Sequence, residues 1–207
     1  MNTLMVRSAH HKGFTLIELL IVIAIIAILA TAVILLLNPT ALLAQARDSQ
    51  RISDLDTLKS AIALYQSTAG GSINGTGACY VYPAGDASVN CGGRHSTGAI
   101  GNNAGTRAVD GTGWVPVNFG GTPGGSPLSV LPIDPKNNTT YYYSYVGTVS
   151  GTFEIDANME SARYAACGGD DAETTDGGNK GTTTDCPGGA SIATAVREVG
   201  NAPGLAL

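Results

Sequence analysis

The stretch KGFTLIELLIVIAIIAILATAVILLL, Lys12 to Leu37, decides the architecture. From Phe14 to Leu37 it is a run of 24 residues in which Glu18 is the one charged side chain. As a helix rising ~1.5 Å per residue it is about 36 Å long, enough to cross a bilayer core of ~30 Å. A buried helix of a soluble domain is the weaker reading. An ionised carboxylate in hydrocarbon costs roughly 2.5–3.5 kcal/mol on insertion scales, so Glu18 reads as a functional group that needs a partner. Lining a water pathway is the other role such a residue can take, but one helix cannot enclose a pathway by itself. Arg7 and Lys12 precede the run and no matching basic cluster directly follows Leu37. By the positive-inside rule the N-terminus then lies in the cytoplasm and the body outside it.

The rest of the composition agrees with an exported body. The chain has 207 residues, sufficient for one core-bearing domain plus an extended element. Glycine is abundant at 28 residues and aromatics make up 6%, which implies many loops and modest burial. After Lys12 there are nine bases against sixteen acids, a net charge of −7 that argues against the wide basic face of a nucleic-acid binder. The four cysteines, Cys79, Cys91, Cys167 and Cys186, read as two disulfides in an oxidising compartment. Three connectivities are open; proximity in the chain favours Cys79 with Cys91 and Cys167 with Cys186. No pair has CxxC spacing and no histidine is close in sequence, so a structural zinc site is the weaker reading.

Four regions follow: 1–13, a short basic leader; 14–37, the apolar helix; 38–68, an amphipathic helix; and 69–207, a β-rich head with Gly-rich loops. In the third, Ile52, Leu55, Leu58, Ile62 and Tyr65 recur at steps of three and four, marking one helix face. Arg47, Asp48, Arg51, Asp54, Asp56 and Lys59 make the opposite, solvated side, with Asp48–Arg51 and Asp56–Lys59 as weak pairs. Pro39 predicts a kink or a short melted stretch near Asn38. Strands are predicted at Cys79–Pro83, Gly113–Phe119, Thr139–Gly147 and Gly151–Met159, the last two as an antiparallel hairpin. The tail from Gly168 reads as a polar, Gly-rich loop. The fold class is therefore α+β, a long N-terminal helix packed through its outer half on a small antiparallel sheet, with disulfide-stapled loops.

Lys12-Gly13, then Phe14-Thr15-Leu16-Ile17-Glu18 and the apolar run resemble the N-terminus of the type IV pilin family, which includes the pseudopilins of type II secretion. An ordinary secretory signal has its cleavage site after the apolar part and no reason to hold a Glu within it. LPIDPKNNTTYYYSYV followed by GTFEIDANMES, Leu131 to Ser161, is similar to the Asp-Pro turn, Tyr-rich strand and acidic strand end of secretion pseudopilins and some related pilins. The resemblance implies that a prepilin peptidase cuts between Gly13 and Phe14 and N-methylates Phe14. It also implies that Glu18 pairs with the N-terminal ammonium of an adjacent subunit, setting register. Implied partners are identical or related subunits, the peptidase, an assembly platform with a cytoplasmic ATPase, and the inner membrane. A single-pass membrane protein before assembly and an extracellular filament after it are the implied locations.

His10 and His11 are adjacent and leave with the leader, and His95 reads as a surface residue on a Gly-rich loop with no close acidic or Cys partner. No catalytic set emerges and the chain reads as no enzyme. GGTPGGSP, Gly120 to Pro127, lacks the Lys-Ser or Lys-Thr of a phosphate loop. Asp170, Asp171, Glu173, Asp176 and Asp185 offer hard oxygens, and some pseudopilins bind calcium near the C-terminus, yet a solvated acidic loop is preferred and no cofactor is expected. The leading reading is a structural subunit of a type IV pilus, supported by a long Gly-rich insertion from Ala84 to Gly113 and by the large loops. The alternatives are a type II secretion pseudopilin, supported by the Asp-Pro and Tyr segment, and a membrane-anchored extracytoplasmic binding domain or enzyme with an uncleaved anchor.

Overall fold

The computed structural model describes residues 13–70, 73, 76–82, 90–95, 99–100, 105–165, 169–170, 172–173 and 196–201. Two compact units divide the chain, Met1–Leu42 and Leu43–Leu207. In the first, helix α1 spans Leu16–Leu37 and helix α2 opens at Pro39, running on to Ala69. The expected interruption is a single residue. Asn38 takes a left-handed conformation, φ 39° and ψ 76°, and ends α1. Asparagine tolerates that region, and α-helical backbone is disfavoured before a proline. Its carbonyl accepts from the Ala41 and Leu42 amides, and its side-chain oxygen accepts from the Thr40 hydroxyl at 2.7 Å. Pro39, with no amide hydrogen to lose, suits the first helical position.

The second unit is α+β. Its strands are β1 (Thr76–Val81), β2 (Ala99–Ile100), β3 (Tyr143–Thr148), β4 (Phe153–Ala157) and β5 (Arg197–Gly200), in the spatial order β2-β1-β3-β4-β5. β1, β3, β4 and β5 each run antiparallel to their neighbour in that order, and the two-residue β2 adds a parallel edge to β1. Thr148 closes the β3–β4 hairpin by accepting from Gly151 at 3.1 Å, where φ is +84° and a side chain would be strained.

Side-chain alternation sorts the sheet into two faces. Tyr80, Tyr143, Tyr145, Phe153, Ile155 and Val199 pack with Leu55, Leu58, Ala61, Ile62 and Tyr65 of α2 in one apolar core. Tyr142 is buried in a separate cluster with Cys79, Val81 and Cys91. The strand Gly113–Phe119 does not form. Pro116 has no N–H for a ladder, and the segment makes only an isolated bridge, Asp110 to Asn118, before a 3-10 turn at Phe119–Gly121. Trp114, Val115, Val117 and Phe119 are nonetheless fully buried in the main core. A Cβ on Gly113 would lie 2.1 Å from the Ala108 carbonyl oxygen, so the chain can fold back there only with glycine.

The polar side of α2 is also corrected. Asp56 and Lys59 are exposed, but Asp48 and Arg51 are completely buried. Arg51 donates through Nε and Nη2 to both oxygens of Asp134, at 2.7 and 3.0 Å, and through Nη1 to Asp48 at 2.6 Å. Asp48 in turn accepts the backbone amides of Glu160 and Ser161, and Asp134 those of Lys136 and Asn137. Burial opposes the Arg51 charge, and the bonds to Asp134 and Asp48 outweigh it, so the net pKa shift is upward. This ionic knot ties the helix to the Asp134-Pro135 turn and to the chain leaving β4.

Candidate functional site

Two places hold side chains that packing alone does not explain. The first is the entry to α1. Gly13 and exposed Phe14 precede the helix, and Thr15 is its N-cap. The Thr15 hydroxyl accepts from the Glu18 amide at 3.3 Å, while Glu18 Oε2 accepts from the Thr15 amide at 2.9 Å and from its hydroxyl at 2.7 Å. This reciprocal arrangement is a capping box, which satisfies two of the amides that a helix start leaves open. The Thr-x-x-Glu spacing was a legible signal for it, overshadowed by the run that follows. From Leu16 to Ile34 the helix has mean hydropathy 3.0, and its large side chains are exposed. Such a surface fits membrane anchoring.

The second place lies on the sheet face opposite α2. Cys79 of β1 and Cys91 form a disulfide with Cα atoms 6.1 Å apart. Cys91 and Gly92 both have left-handed backbone, φ 50° and 71°, and the tight turn Asn90–Gly93 leads into Arg94 and His95. Both of those side chains are buried, which overturns the surface reading of His95. Its Nδ1 lies 3.1 Å from Glu154 Oε1 and 3.4 Å from Asp156 Oδ2. Glu154 and Asp156 alternate with Phe153, Ile155 and Ala157 along β4, so both acids face away from α2. Asp156 also pairs in register with Glu198 of β5. Burial, then the charges of Glu154 and Glu198, push the Asp156 carboxyl well above its ordinary range.

Arg94 sits in the same layer but bonds elsewhere. Its guanidinium donates to the carbonyls of Tyr142 and Thr140 and to the Asn158 side chain, and it stacks 3.5 Å above the Tyr142 ring. Burial lowers its pKa, against the opposing pull of nearby negative groups. The sequence offered one clue to this cluster, the period-two pair Glu154 and Asp156 inside an otherwise apolar strand. Nothing in the sequence linked them to a histidine 59 residues earlier.

Of the acids considered for calcium, exposed Asp170 pairs with Arg163, and buried Glu173 accepts the Met159 amide at 2.6 Å. Asp171, Asp176 and Asp185 lie outside the described residues, as do Cys167 and Cys186 and the leader residues Arg7 to Lys12.

Residues 8–34 match the family model described as the prokaryotic N-terminal methylation motif. No curated protein and no solved structure matches the chain. The matched segment contains Gly13, Phe14, the Thr15–Glu18 box and most of α1. The chain thus bears the N-terminal signature of type IV pilins and pseudopilins, a structural and generally non-enzymatic class.

Proposed function

We propose that the chain is the precursor of a type IV pilus subunit, cut between Gly13 and Phe14 by a prepilin peptidase, N-methylated on Phe14 and polymerised through α1. The observation that carries this reading is the methylation motif on residues 8–34, with Gly13-Phe14 placed just ahead of a capped helix whose apolar side chains are exposed. The N-terminus faces the cytoplasm, where the peptidase and the assembly ATPase act, and the body faces outward. During assembly Glu18 receives the new Phe14 ammonium of a neighbouring subunit. Such a pair specifies alignment more than it stabilises, because desolvation offsets much of the attraction. Bundled α1 helices exchange lipid for helix packing.

Mass spectrometry of the mature N-terminus tests the processing step. The expected product begins at methylated Phe14, and a chain that retains residues before Gly13 refutes the proposal. Glu18→Ala is expected to leave processing intact and to reduce filament yield. The second reading, a type II secretion pseudopilin, is favoured by the Asp134-Pro135 turn ahead of the Tyr-rich β3. Loss of surface filaments in a deletion strain supports the pilus, and loss of secretion with surface filaments retained supports the pseudopilus.

A further inference from the structure

We propose that His95, Glu154 and Asp156 form a structural site for a divalent transition metal of the zinc type. The inference is independent of how the N-terminus is processed. Three donors of mixed nitrogen and oxygen type, all buried, lie within 4.8 Å of one another. The separations from His95 Nδ1, 3.1 and 3.4 Å, match the edge of a tetrahedron around zinc: with Zn–N and Zn–O near 2.0–2.2 Å, adjacent donors stand about 3.3 Å apart. A single Nδ1 proton can serve one carboxylate well and not two.

The independent observation is Asp156. Its side chain is fully buried, and among the described residues neither of its oxygens accepts a hydrogen bond of good geometry, the His95 imidazole standing 3.4 Å away. A buried carboxylate without such partners is costly, and the usual remedies are pairing or metal coordination. The neighbouring acids add repulsion. A divalent cation between Asp156, Glu154 and the imidazole reverses the sign of that interaction, and Glu198, in register with Asp156 on the neighbouring strand, adds a further negative charge near the set.

The donor chemistry selects the metal. Calcium takes six to eight oxygens, whereas imidazole with carboxylates suits zinc and its neighbours. Burial on all sides marks a structural role. The ion would clamp the segment following Cys91 onto β4, as the disulfide clamps Cys91 onto β1.

The test uses the full-length chain in detergent, with His10 and His11 replaced by alanine because they are the other two histidines. After chelator treatment, calorimetric titration with ZnCl2 is expected to show one site per chain, with a thermal stabilisation that EDTA reverses. His95→Gln and Asp156→Asn are each expected to weaken zinc binding by ~100-fold or more, beyond the effect of losing an outer-shell partner. Asp170→Asn, an acid outside the set, is expected to leave it unchanged. Should His95→Gln fail to fold, Asp156→Asn decides, since it removes a repelled buried charge and leaves an amide that can donate to its acidic neighbours; near-ultraviolet dichroism verifies its fold. Absence of saturable zinc binding overturns the proposal. So does stoichiometric binding that survives Asp156→Asn, or binding of CaCl2 in preference to ZnCl2.

Discussion

Asp134→Ala should be among the most damaging single changes in the body. Asp134 is buried, and its two oxygens take the fork of a fully buried Arg51 while also accepting two backbone amides. Truncation leaves the guanidinium with Asp48 as its close partner and uncovers both amides. Breaking a buried ion pair on one side costs about 3–5 kcal/mol. For a body of this size each kcal/mol shifts Tm by roughly 2–4 °C, so the expected fall is about 6–20 °C. The single tryptophan reports on it directly, because Trp114 is buried and its Nε1 donates to the Pro132 carbonyl two residues from Asp134. Thermal unfolding of the full-length chain in detergent, followed by Trp114 fluorescence, measures the loss. Adding Arg51→Met should recover part of it, since the guanidinium that lost its fork is then gone and Asp48 keeps the amides of Glu160 and Ser161, with a coupling of order 0.5–3 kcal/mol. A fall below about 2 °C for Asp134→Ala would refute the reasoning, because it would give the pair the worth of an exposed salt bridge.

Glu160 gives a pH prediction of defined sign. Bonds to Arg47, then to Lys136, hold its carboxyl down at about 2. A depressed folded-state pKa contributes stability above the unfolded value near 4.3, and that contribution drains away as pH falls toward 2. Glu160→Gln should therefore melt lower than the parent at pH 7, by on the order of 1 kcal/mol, with the gap closing by pH 2; a constant gap across that window contradicts it. Thr15→Val removes the cap hydroxyl while keeping the shape, at a cost of ~1 kcal/mol, and should speed hydrogen exchange at the Glu18 amide about fivefold, with Thr15→Ser near parental rates. Asn38→Val places a β-branched residue in left-handed backbone, costing ~1–3 kcal/mol, and should speed exchange at Ala41 and Leu42; Asn38→Gly should not.

What was legible in the sequence depended on whether the physics was local. The α1 span rests on one unbroken apolar run, the apolar face of α2 and the β3–β4 hairpin on patterns within a dozen residues or so, and the structure has all three. Pro116 was legible too, yet the apolar character of Trp114, Val115 and Val117 suggested a strand, because burial was mistaken for ladder pairing. Strand β5 carries one core side chain, Val199, and becomes a strand by pairing with β4, a non-local cause. The polar stripe of α2 looked solvated because charged side chains usually are. Arg51 and Asp48 are exceptions whose explanation, Asp134 and the amides after β4, lies 83 and more than 110 residues away. His95 failed for the same reason.

Glu18 shows how the structure alters a reading that the sequence made for sound reasons. Read alone, the carboxylate has no partner until the leader is removed, and its cost in lipid is carried until assembly. The capping box supplies two donors from Thr15 beforehand. Both donate to Oε2, and among the described residues no hydrogen bond is made to Oε1. A carboxylate has about four acceptor sites, so an ammonium from a neighbouring subunit can approach Oε1 without displacing the cap. The proposed cleavage before Phe14 keeps the Thr15 amide and hydroxyl that the box uses. Helix capping and the proposed intersubunit pair are then additive functions of one side chain, which is a physical reason for Thr and Glu to stand three residues apart at the start of this helix.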